Sequence, residues 1–312
     1  MAHPVPSYQA VRSSMRLVAV ALGIALAACS LASQASAESC PQHFFSGVAP
    51  QLLNPKLEPK TRQICYSEFA LLHSGLTRTP LWVAEHFTPE RVAGARDLNR
   101  VNNFHADANL PISERAELSD YARSGYDRGH MAPSGDMATP EGMAESFSLA
   151  NMVPQDRDNN RNLWERIERA VRQYAERREI FVVTGPIFQG ENVQSLKGRV
   201  LVPTHLAKAV YDPQRNAGAA YLVLNQPGND YKIVSLVELQ QLTGIDAFPH
   251  VAASVKQTAM ELPTPQLRRS RRNAGPAPRS PSSQEQPAPS SGSQTGDFLG
   301  GILNAIDNFG RR

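Results

Sequence analysis

Short runs of apolar and β-branched residues recur through the middle of the chain, separated by polar and turn-forming stretches. Five of these runs predict strands, over residues 81–84, 180–184, 200–202, 208–211 and 220–224. Apolar residues at helical spacing predict helices over about 162–178 and over 235–242, the second ended by Gly244. Strands outnumber helices, and few strand–helix–strand units of the parallel type occur. The pattern therefore predicts an α+β fold with a mainly antiparallel sheet and flanking helices.

The beginning of the chain has the pattern of an export signal. Two arginines precede an apolar run over residues 17–28, and small residues at 35–37 offer a cleavage site before Glu38. The run is too short to span a bilayer stably, so we expect no transmembrane segment. Residues 1–37 are thus predicted to be a signal peptide for a periplasmic or secreted protein. Because Leu26-Ala27-Ala28-Cys29 also resembles a bacterial lipoprotein signal, a lipid anchor on Cys29 is the alternative.

The end of the chain differs in composition from the middle. Residues 263–296 are rich in proline, serine and arginine and predict a disordered linker. Its arginine cluster at 268–272 could contact phosphate or anionic lipid, or could simply be solvated. Residues 297–312 carry apolar side chains at helical spacing and predict a short amphipathic tail, which could dock on the rest of the protein or on a membrane. Residues 38–262, named the body, remain as one large domain.

The net charge of +3 is unevenly distributed. Nine of the 32 basic residues but only three of the 29 acidic residues lie outside the body, which leaves the body at −3. A net charge of −3 does not favour non-specific binding of polyanions to the body. Any affinity for nucleic acid must therefore come from a local basic cleft, to which the arginine-rich linker could add.

Cysteine usage agrees with export. Of the three cysteines, Cys29 lies in the leader, and cleavage before Glu38 leaves Cys40 and Cys65 as a pair. In an oxidising compartment we expect these two to form a disulfide, worth about 3 kcal/mol in the chain-entropy model. Two unrelated buried thiols are the alternative. Neither cysteine belongs to a Cys-x-x-Cys pair, so a zinc ribbon is not indicated.

The most informative segment is Tyr126-Asp127-Arg128-Gly129-His130-Met131-Ala132-Pro133-Ser134-Gly135. If it is extended, alternation sends Arg128 and His130 to the same face, and Gly129 leaves the opposite face open to close approach by a backbone or a ligand. A fixed cation beside a titratable imidazole suits attack on a phosphate, because one neutralises charge and the other accepts a proton. A surface ion pair next to an unrelated histidine is the alternative.

A second candidate group lies downstream at a spacing of four residues. Asn160, Trp164 and Glu168 would share one face of a helix. An asparagine oxygen is a hard neutral donor suited to Mg²⁺, and Glu168, leaning toward the helix N-terminus, would reach such an ion through water. The alternatives are that Asn159 or Asn160 only caps the helix and that Glu168 faces solvent. Trp164 is expected to pack the helix onto the sheet.

Together these segments resemble the DNA/RNA non-specific endonucleases, a family of ββα-metal nucleases. Asp127-Arg128-Gly129-His130 matches the family's Asp-Arg-Gly-His signature, and Asn-x-x-Pro-Gln at 151–155 matches a second block. Asn160, Trp164 and Glu168 match a third block. The resemblance spans roughly residues 40–248 in a consistent order and implies a ββα-metal finger at the active site.

The resemblance also implies a role for each of these residues. His130 would be the general base that activates water, and Asn160 would be the only direct protein ligand of one Mg²⁺ ion, for which Mn²⁺ can substitute. Arg128 would steady the phosphate, and Glu168 would order the waters of the ion. Asn151 would support the site by hydrogen bonding.

The expected function is Mg²⁺-dependent hydrolysis of phosphodiester bonds in DNA and RNA, leaving 5′-phosphate ends. Two alternatives are an inert nucleic-acid-binding or surface protein on a nuclease scaffold, and a phosphodiesterase for small or lipid-linked substrates. A zinc protease is not indicated, since no His-Glu-x-x-His arrangement occurs. Family members often carry another substrate-binding arginine upstream of a Phe-x-x-Asp segment, here 104–107, and its spacing does not decide between Arg96 and Arg100.

Overall fold

The computed structural model describes residues 40–266, together with Met1. Within residues 40–266 the chain forms thirteen strands. In chain order they are β1 Gln51–Leu52, β2 Thr61–Cys65, β3 Ala70–Ser74, β4 Thr79–Phe87, β5 Asp127–His130, β6 Met152–Gln155, β7 Ile180–Ile187, β8 Ser195–Leu196, β9 Val200–Leu201, β10 His205–Asp212, β11 Ala217–Leu224, β12 Tyr231–Val234 and β13 Ile245–Asp246.

The same part of the chain contains seven α-helical segments. They are α1 Pro89–Arg96, α2 Leu118–Tyr121, α3 Pro140–Ser146, α4 Arg157–Asn159, α5 Glu165–Ala175, α6 Leu236–Thr243 and α7 Ala253–Lys256. A π-helical turn, Asn160–Trp164, joins α4 to α5 without a break. Short 3₁₀ turns occupy Pro41–His43, Phe45–Gly47, Pro55–Leu57, Ser134–Asp136 and Leu149–Asn151.

Seven of the described strands form one sheet, in the order β12-β11-β10-β7-β4-β3-β2. Every neighbouring pair in it is antiparallel, and β7 lies at its centre, where Val183 faces Ala84 of β4 and Ala209 of β10. The other described strands pair as β1 with β13, β5 with β6 and β8 with β9. The predicted α+β fold with a mainly antiparallel sheet is confirmed.

Strand alternation gives the large sheet two buried faces. In β10, Leu206 and Val210 belong to the core that also contains Ile167 of α5, whereas Ala207 and Ala209 belong to the core on the opposite face. Successive side chains of a strand point to opposite faces, so a strand covered on both sides becomes apolar at nearly every position. The sheet therefore provides a rigid floor on which α5 is fixed.

The predicted elements occur, with altered bounds. The strands predicted at 81–84, 180–184, 208–211 and 220–224 are the central parts of β4, β7, β10 and β11, while 200–202 belongs to the small β8–β9 pair outside the large sheet. The helix predicted at 235–242 is α6, capped by Ser235 and ended by Gly244 at φ 67°. The helix predicted at 162–178 instead starts at Arg157 and ends at Ala175.

Cys40 and Cys65 form the predicted disulfide, with a Cα–Cα distance of 5.9 Å across 25 residues of sequence. The bond joins the first turn to the edge strand β2. The next residue, Tyr66, donates its hydroxyl to Asp107, and its oxygen also lies 3.0 Å from the Ser148 hydroxyl. The disulfide therefore lies next to Tyr66, whose hydrogen bond to Asp107 holds the segment around Asp107 in place.

Several sequence predictions concern residues outside the described part. The signal peptide, the lipid anchor at Cys29, most of the linker and the amphipathic tail stay predictions. In residues 40–266 no helix combines the length and the apolar character that crossing a membrane requires.

Candidate active site

The Asp127–His130 segment is the strand β5, paired with β6. Its register sets Arg128 opposite Pro154 and His130 opposite Met152. Arg128 and His130 both line one cleft, as alternation along an extended segment requires. On the other face, a Cβ on Gly129 would lie 2.0 Å from Oε1 of Gln155. Only glycine leaves room for Gln155 at this position. The group that approaches Gly129 is therefore the Gln155 side chain, whereas the sequence predicted a backbone or a ligand.

The cleft has a volume of about 840 Å³ and brings together side chains from β5, from the π-helical turn and from α5. Of the residues selected from the sequence, it contains Arg128, His130, Asn160 and Glu168. Four arginines contribute to its lining: Arg100, Arg128, Arg161 and Arg172. Asp127, Glu165 and Glu168 also line the cleft. Because Arg161 is paired with Asp127 and Arg172 with Asp136, the positive charge left for nucleic acid is that of Arg100 and Arg128.

His130 lies on the cleft wall with 8% of its surface exposed. Its ring centroid lies 5.6 Å from that of Phe104 and 5.1 Å from that of Phe147. Burial, followed by the positive charges of Arg100 and Arg128, lowers the pKa of His130 to about 3. The imidazole is therefore neutral near pH 7 and able to accept a proton. Nε2 is buried and has no hydrogen-bond partner within residues 40–266, which leaves Nδ1 to act from the cleft.

The two arginines next to His130 are held by aromatic rings. The guanidinium carbon of Arg128 lies 4.1 Å from the Phe104 centroid, and that of Arg100 lies 5.3 Å from the Phe147 centroid. No carboxylate of the described residues forms an ion pair with Arg100 or Arg128. Their charge is thus available to an anion such as a phosphate.

Arg100, not Arg96, is the upstream arginine that reaches the cleft. Arg96 is exposed and forms an ion pair with Glu176 on the surface. Arg100 lies in the cleft lining and donates from Nε to Oδ1 of Asn102 at 2.8 Å. Sequence spacing could not choose between them, because residues 97–104 form no regular element that would fix a register.

The helix is capped by neither Asn159 nor Asn160, the two residues that the sequence offered as caps. Asp156 is the N-cap, and its Oδ1 accepts from the Asn159 backbone at 3.0 Å. The Asn159 side chain instead donates to the Leu224 carbonyl at 3.0 Å. Asn160 therefore has no capping role, and its Nδ2 donates to Oδ2 of Asp127 at 3.1 Å. No described residue donates to the Asn160 amide oxygen, so this atom is available to a ligand in the cleft.

The π-helical turn affects how Asn160 and Glu168 are aligned. In an unbroken α-helix, residues eight apart are offset by about 80° around the axis. A π-turn is one residue wider, so it takes up part of this offset and brings Asn160 and Glu168 closer to one line along the helix. Trp164 between them is fully buried and packs against the sheet, as expected.

Glu168 is half-buried on the cleft floor, and its side chain makes no hydrogen bond to another described residue. Burial raises the pKa of Glu168 to about 7, while the positive charges of Lys208 and Arg172 act in the opposite direction. A carboxylate without a protein partner is able to hold water around a cation in the same cleft.

The donor set fits a hard divalent cation that keeps most of its waters. The described residues contain no cluster of three or more His, Cys, Asp or Glu side chains that could hold a metal ion. What the cleft offers is the free amide oxygen of Asn160 and the unpartnered carboxylate of Glu168. Mg²⁺ is commonly bound by one or two protein oxygens and several waters, so these residues could hold it.

Asn151 lies behind the cleft wall rather than in it. Its Oδ1 accepts from the backbone nitrogen of Ala132 at 2.9 Å. Its Nδ2 donates to the carbonyls of Ala132 at 2.8 Å and Ser146 at 2.9 Å. These bonds fix the turn that follows His130, and a supporting role of Asn151 in the site stays a prediction.

Comparison with known proteins agrees with this geometry. The family model for the DNA/RNA non-specific endonuclease matches residues 47–254. The human protein "Nuclease EXOG, mitochondrial" is 36% identical over 214 residues, which are 61% of this chain and 58% of that protein. A protein named "Nuclease" from Nostoc sp. is 34% identical over 234 residues, 69% of this chain and 82% of that protein. The chain thus spans less than two thirds of the human relative.

A solved structure has the same fold. A chain from the crystal structure of the EndoG/EndoGI complex superposes with a TM-score of 0.56 at 27% sequence identity. The match covers 63% of this chain and 89% of that one. Sequence and fold comparisons therefore agree on the same family.

Proposed function

The chain belongs to the DNA/RNA non-specific endonuclease family, a family of metal-dependent nucleases, and on this premise we propose that it cleaves DNA and RNA internally. The products would be 5′-phosphate and 3′-hydroxyl ends. The observation that carries the proposal is one cleft that contains two arginines without a carboxylate partner in residues 40–266, together with a neutral imidazole and an asparagine oxygen without a hydrogen-bond partner there.

His130 would take a proton from the attacking water. Because burial and two arginines keep its imidazole neutral, it can accept that proton near pH 7, and general-base help is typically worth about 10²–10⁴-fold in rate. Arg128, stacked on Phe104 and free of a carboxylate partner, would bind the scissile phosphate and neutralise its charge. Arg100, which lines the same cleft over the Phe147 ring, would bind the same or an adjacent phosphate.

Asn160 would hold the metal ion, which we propose to be Mg²⁺, with Mn²⁺ as a substitute. When bound there, the ion would supply Lewis acidity at the phosphate and at the departing 3′-oxygen. Glu168 would order water next to Asn160. The proposed chemistry does not use the sugar 2′-hydroxyl, so it should accept both DNA and RNA.

We propose further that the protein is exported. The signal-like leader, with small residues before Glu38, and the Cys40–Cys65 disulfide support a periplasmic or secreted location. Mass analysis of the processed protein distinguishes the two routes. An N-terminus at Glu38 indicates release, whereas an acylated N-terminal Cys29 indicates a lipid anchor.

The test of the function is cleavage of plasmid DNA and of a long RNA by the purified protein with Mg²⁺. We expect both to be cut, cleavage to stop on addition of a chelator, and the DNA ends to be ligatable without phosphorylation. Binding without cutting would instead indicate an inert nucleic-acid-binding protein. If a small phosphodiester is hydrolysed and excess DNA or RNA does not compete, the alternative of a small-substrate phosphodiesterase holds.

A further inference from the structure

Asn225, the residue that follows β11, uses its whole side chain to join three parts of the chain. Its Nδ2 donates to the carbonyl of Pro154 at 3.0 Å and to that of Pro203 at 2.8 Å. Its Oδ1 accepts from the backbone nitrogen of Asp156 at 2.8 Å. An asparagine amide has two donor hydrogens and one acceptor oxygen, so every polar atom of this side chain is engaged.

The large sheet holds the end of β11 from which these bonds are made. The backbone nitrogen of Asn225 donates to the carbonyl of Thr204 at 2.9 Å, which continues the β10–β11 ladder beyond its last strand pair. The carbonyl of the preceding residue, Leu224, accepts from Nδ2 of Asn159 at 3.0 Å. Two successive residues at the end of β11 therefore bind the segment that leads to Asn160.

Asn225 contacts both of the elements that carry the candidate catalytic groups. Pro154 belongs to β6, the strand that pairs with β5 and its His130. Asp156 is the N-cap of α4, and its carbonyl accepts from the backbone nitrogen of Asn160 at 2.9 Å. A single side chain thus connects the strand pair that contains His130 with the helix start that contains Asn160.

A buried pair of amide side chains supports the same junction. Gln155 and Asn159 are both fully buried, and Nε2 of Gln155 donates to Oδ1 of Asn159 at 2.9 Å. Gln155 also fills the space that Gly129 leaves open. The junction between β6 and α4 is therefore fixed internally by Gln155 and tied to the large sheet by Asn225.

The other contacts between the β11–β12 loop and the helix are peripheral. The backbone nitrogen of Gly228 donates to Oδ2 of Asp158 at 3.2 Å, and Arg166 donates to Oδ1 of Asn229 at 3.1 Å. Both contacts are exposed and reach side chains, whereas Asn225 reaches the backbone next to the N-cap. Asn229 is thus a matched control for Asn225, since both are asparagines that bind the same helical region.

We propose that Asn225 is a positioning residue for the active site: by binding the backbone of Pro154 and Asp156, it sets the position of Asn160 relative to His130. The catalytic meaning of this contact rests on the proposed nuclease function, whereas the contact itself does not. Asn225 would touch neither substrate nor metal, because its amide is fully occupied by three backbone groups.

Hydrogen–deuterium exchange of the metal-free, full-length protein tests the contact directly. Asn225→Ala removes all three bonds, and Asn225→Asp keeps the acceptor but loses both donors. Because each lost bond contributes about 0.5–1.5 kcal/mol, we expect exchange over residues 157–165 to become about tenfold faster in both variants. Exchange in β7 should be unchanged, and Asn229→Ala should match the wild type throughout.

Two outcomes of the exchange measurement overturn the proposal. One is wild-type exchange over residues 157–165 in the Asn225 variants, and the other is an equal rise in β7 in both variants. If only Asn225→Ala loses protection in β7, Asn225→Asp decides by the same criteria.

Binding of Mn²⁺, followed by electron paramagnetic resonance without nucleic acid, tests the consequence for the metal ligand. Asn160→Ala identifies the site as the binding that it removes. We expect about tenfold weaker binding in Asn225→Ala and wild-type binding in Asn229→Ala, since disturbed support of a ligand typically costs about 10–100-fold in affinity. Wild-type affinity in Asn225→Ala overturns the positioning role.

Cleavage of plasmid DNA gives a third readout that a general loss of stability would not reproduce. Asn225→Ala should need about tenfold more Mg²⁺ for half-maximal cleavage, and excess Mg²⁺ should restore most of the turnover. A lower turnover with an unchanged Mg²⁺ requirement contradicts the proposal.

The two proposals fail in different ways. If the wild type neither binds Mn²⁺ nor cuts nucleic acid, the proposed function is wrong, yet hydrogen exchange still decides whether Asn225 holds the helix start. If the wild type cuts and the Asn225 variants match it in exchange and in Mn²⁺ affinity, only the role of Asn225 is wrong.

Discussion

Asn160 donates from Nδ2 to the carboxylate of Asp127 at 3.1 Å, and this bond leaves its amide oxygen as the atom that can bind a cation. The same carboxylate accepts two bonds of 2.8 Å from Arg161. Asp127 belongs to β5 and Asn160 to the π-helical turn, so the first residue of the Asp-Arg-Gly-His segment orients the candidate metal ligand on the helix. The two motifs are thus joined by one contact.

Asp127→Ala should therefore weaken metal binding. Without the carboxylate the Asn160 amide can rotate, and loss of such a supporting contact typically costs about 10–100-fold in metal affinity. Titration of the cleavage rate with Mg²⁺ measures the change. Arg161→Gln is the control, because it also loses its contact with Asp127 but leaves the Asn160 bond in place. Equal Mg²⁺ dependence in Asp127→Ala and Arg161→Gln would contradict the orienting role.

Arg100 and Arg96 should behave differently when each is replaced by alanine. Arg100 lies beside His130 in the cleft, whereas Arg96 forms an ion pair on the surface. Losing a charge-assisted contact to phosphate costs about 1.5–3 kcal/mol, so Arg100→Ala should lower kcat/KM by about 10–100-fold. Arg96→Ala should stay close to wild type in the same steady-state assay. Similar losses in both variants would remove Arg100 from the site.

The stability of the protein should depend on pH through His130. The folded pKa is about 3 and the unfolded value about 6.5, so between these pH values the unfolded chain binds a proton that the folded protein does not. The contribution of His130 to the free energy of unfolding is therefore complete above pH 6.5. It falls by about 1.4 kcal/mol for each pH unit between 6.5 and the folded pKa of about 3.

Urea unfolding of wild type and His130→Gln at several pH values isolates this effect, because the other buried histidines are unchanged. We expect the free energy of unfolding to fall more steeply with acid in the wild type than in the variant. Parallel pH dependence in the two proteins would mean that His130 is solvated in the folded state.

The disulfide should contribute measurably to stability. For a loop of this length the chain-entropy model gives about 3 kcal/mol, or a decrease of roughly 6–12 °C in Tm on removal. The double variant Cys40→Ser/Cys65→Ser should show this decrease and no response to a reductant, while reduced wild type should match it. Since Tyr66 holds Asp107, we also expect reduction to lower activity. Identical melting of oxidised and reduced protein would rule out the contribution.

Much of the fold was predictable because it depends on local periodicity. Apolar runs in β7 and β10 predicted strands, and Gly244 marked the end of α6 because a left-handed residue there favours glycine. Alternation likewise predicted that Arg128 and His130 share a face. The helix start was not predictable in the same way, since α4 and the π-helical turn begin with polar residues that show no apolar period.

The parts of the site that were missed depend on tertiary contacts. Arg100 lies in an irregular segment and is placed by stacking on Phe147, which spacing cannot indicate. The Asp127–Asn160 bond joins residues that are 33 positions apart.

The central claim is that His130 acts as the base, from the cleft that also contains Asn160, on one phosphodiester bond. The most direct measurement is the turnover of plasmid DNA by wild type and His130→Ala at saturating Mg²⁺, with Tm and DNA affinity measured on the same samples. We predict a loss of about 10²–10⁴-fold in turnover with fold and binding retained. Wild-type turnover by His130→Ala would contradict the account.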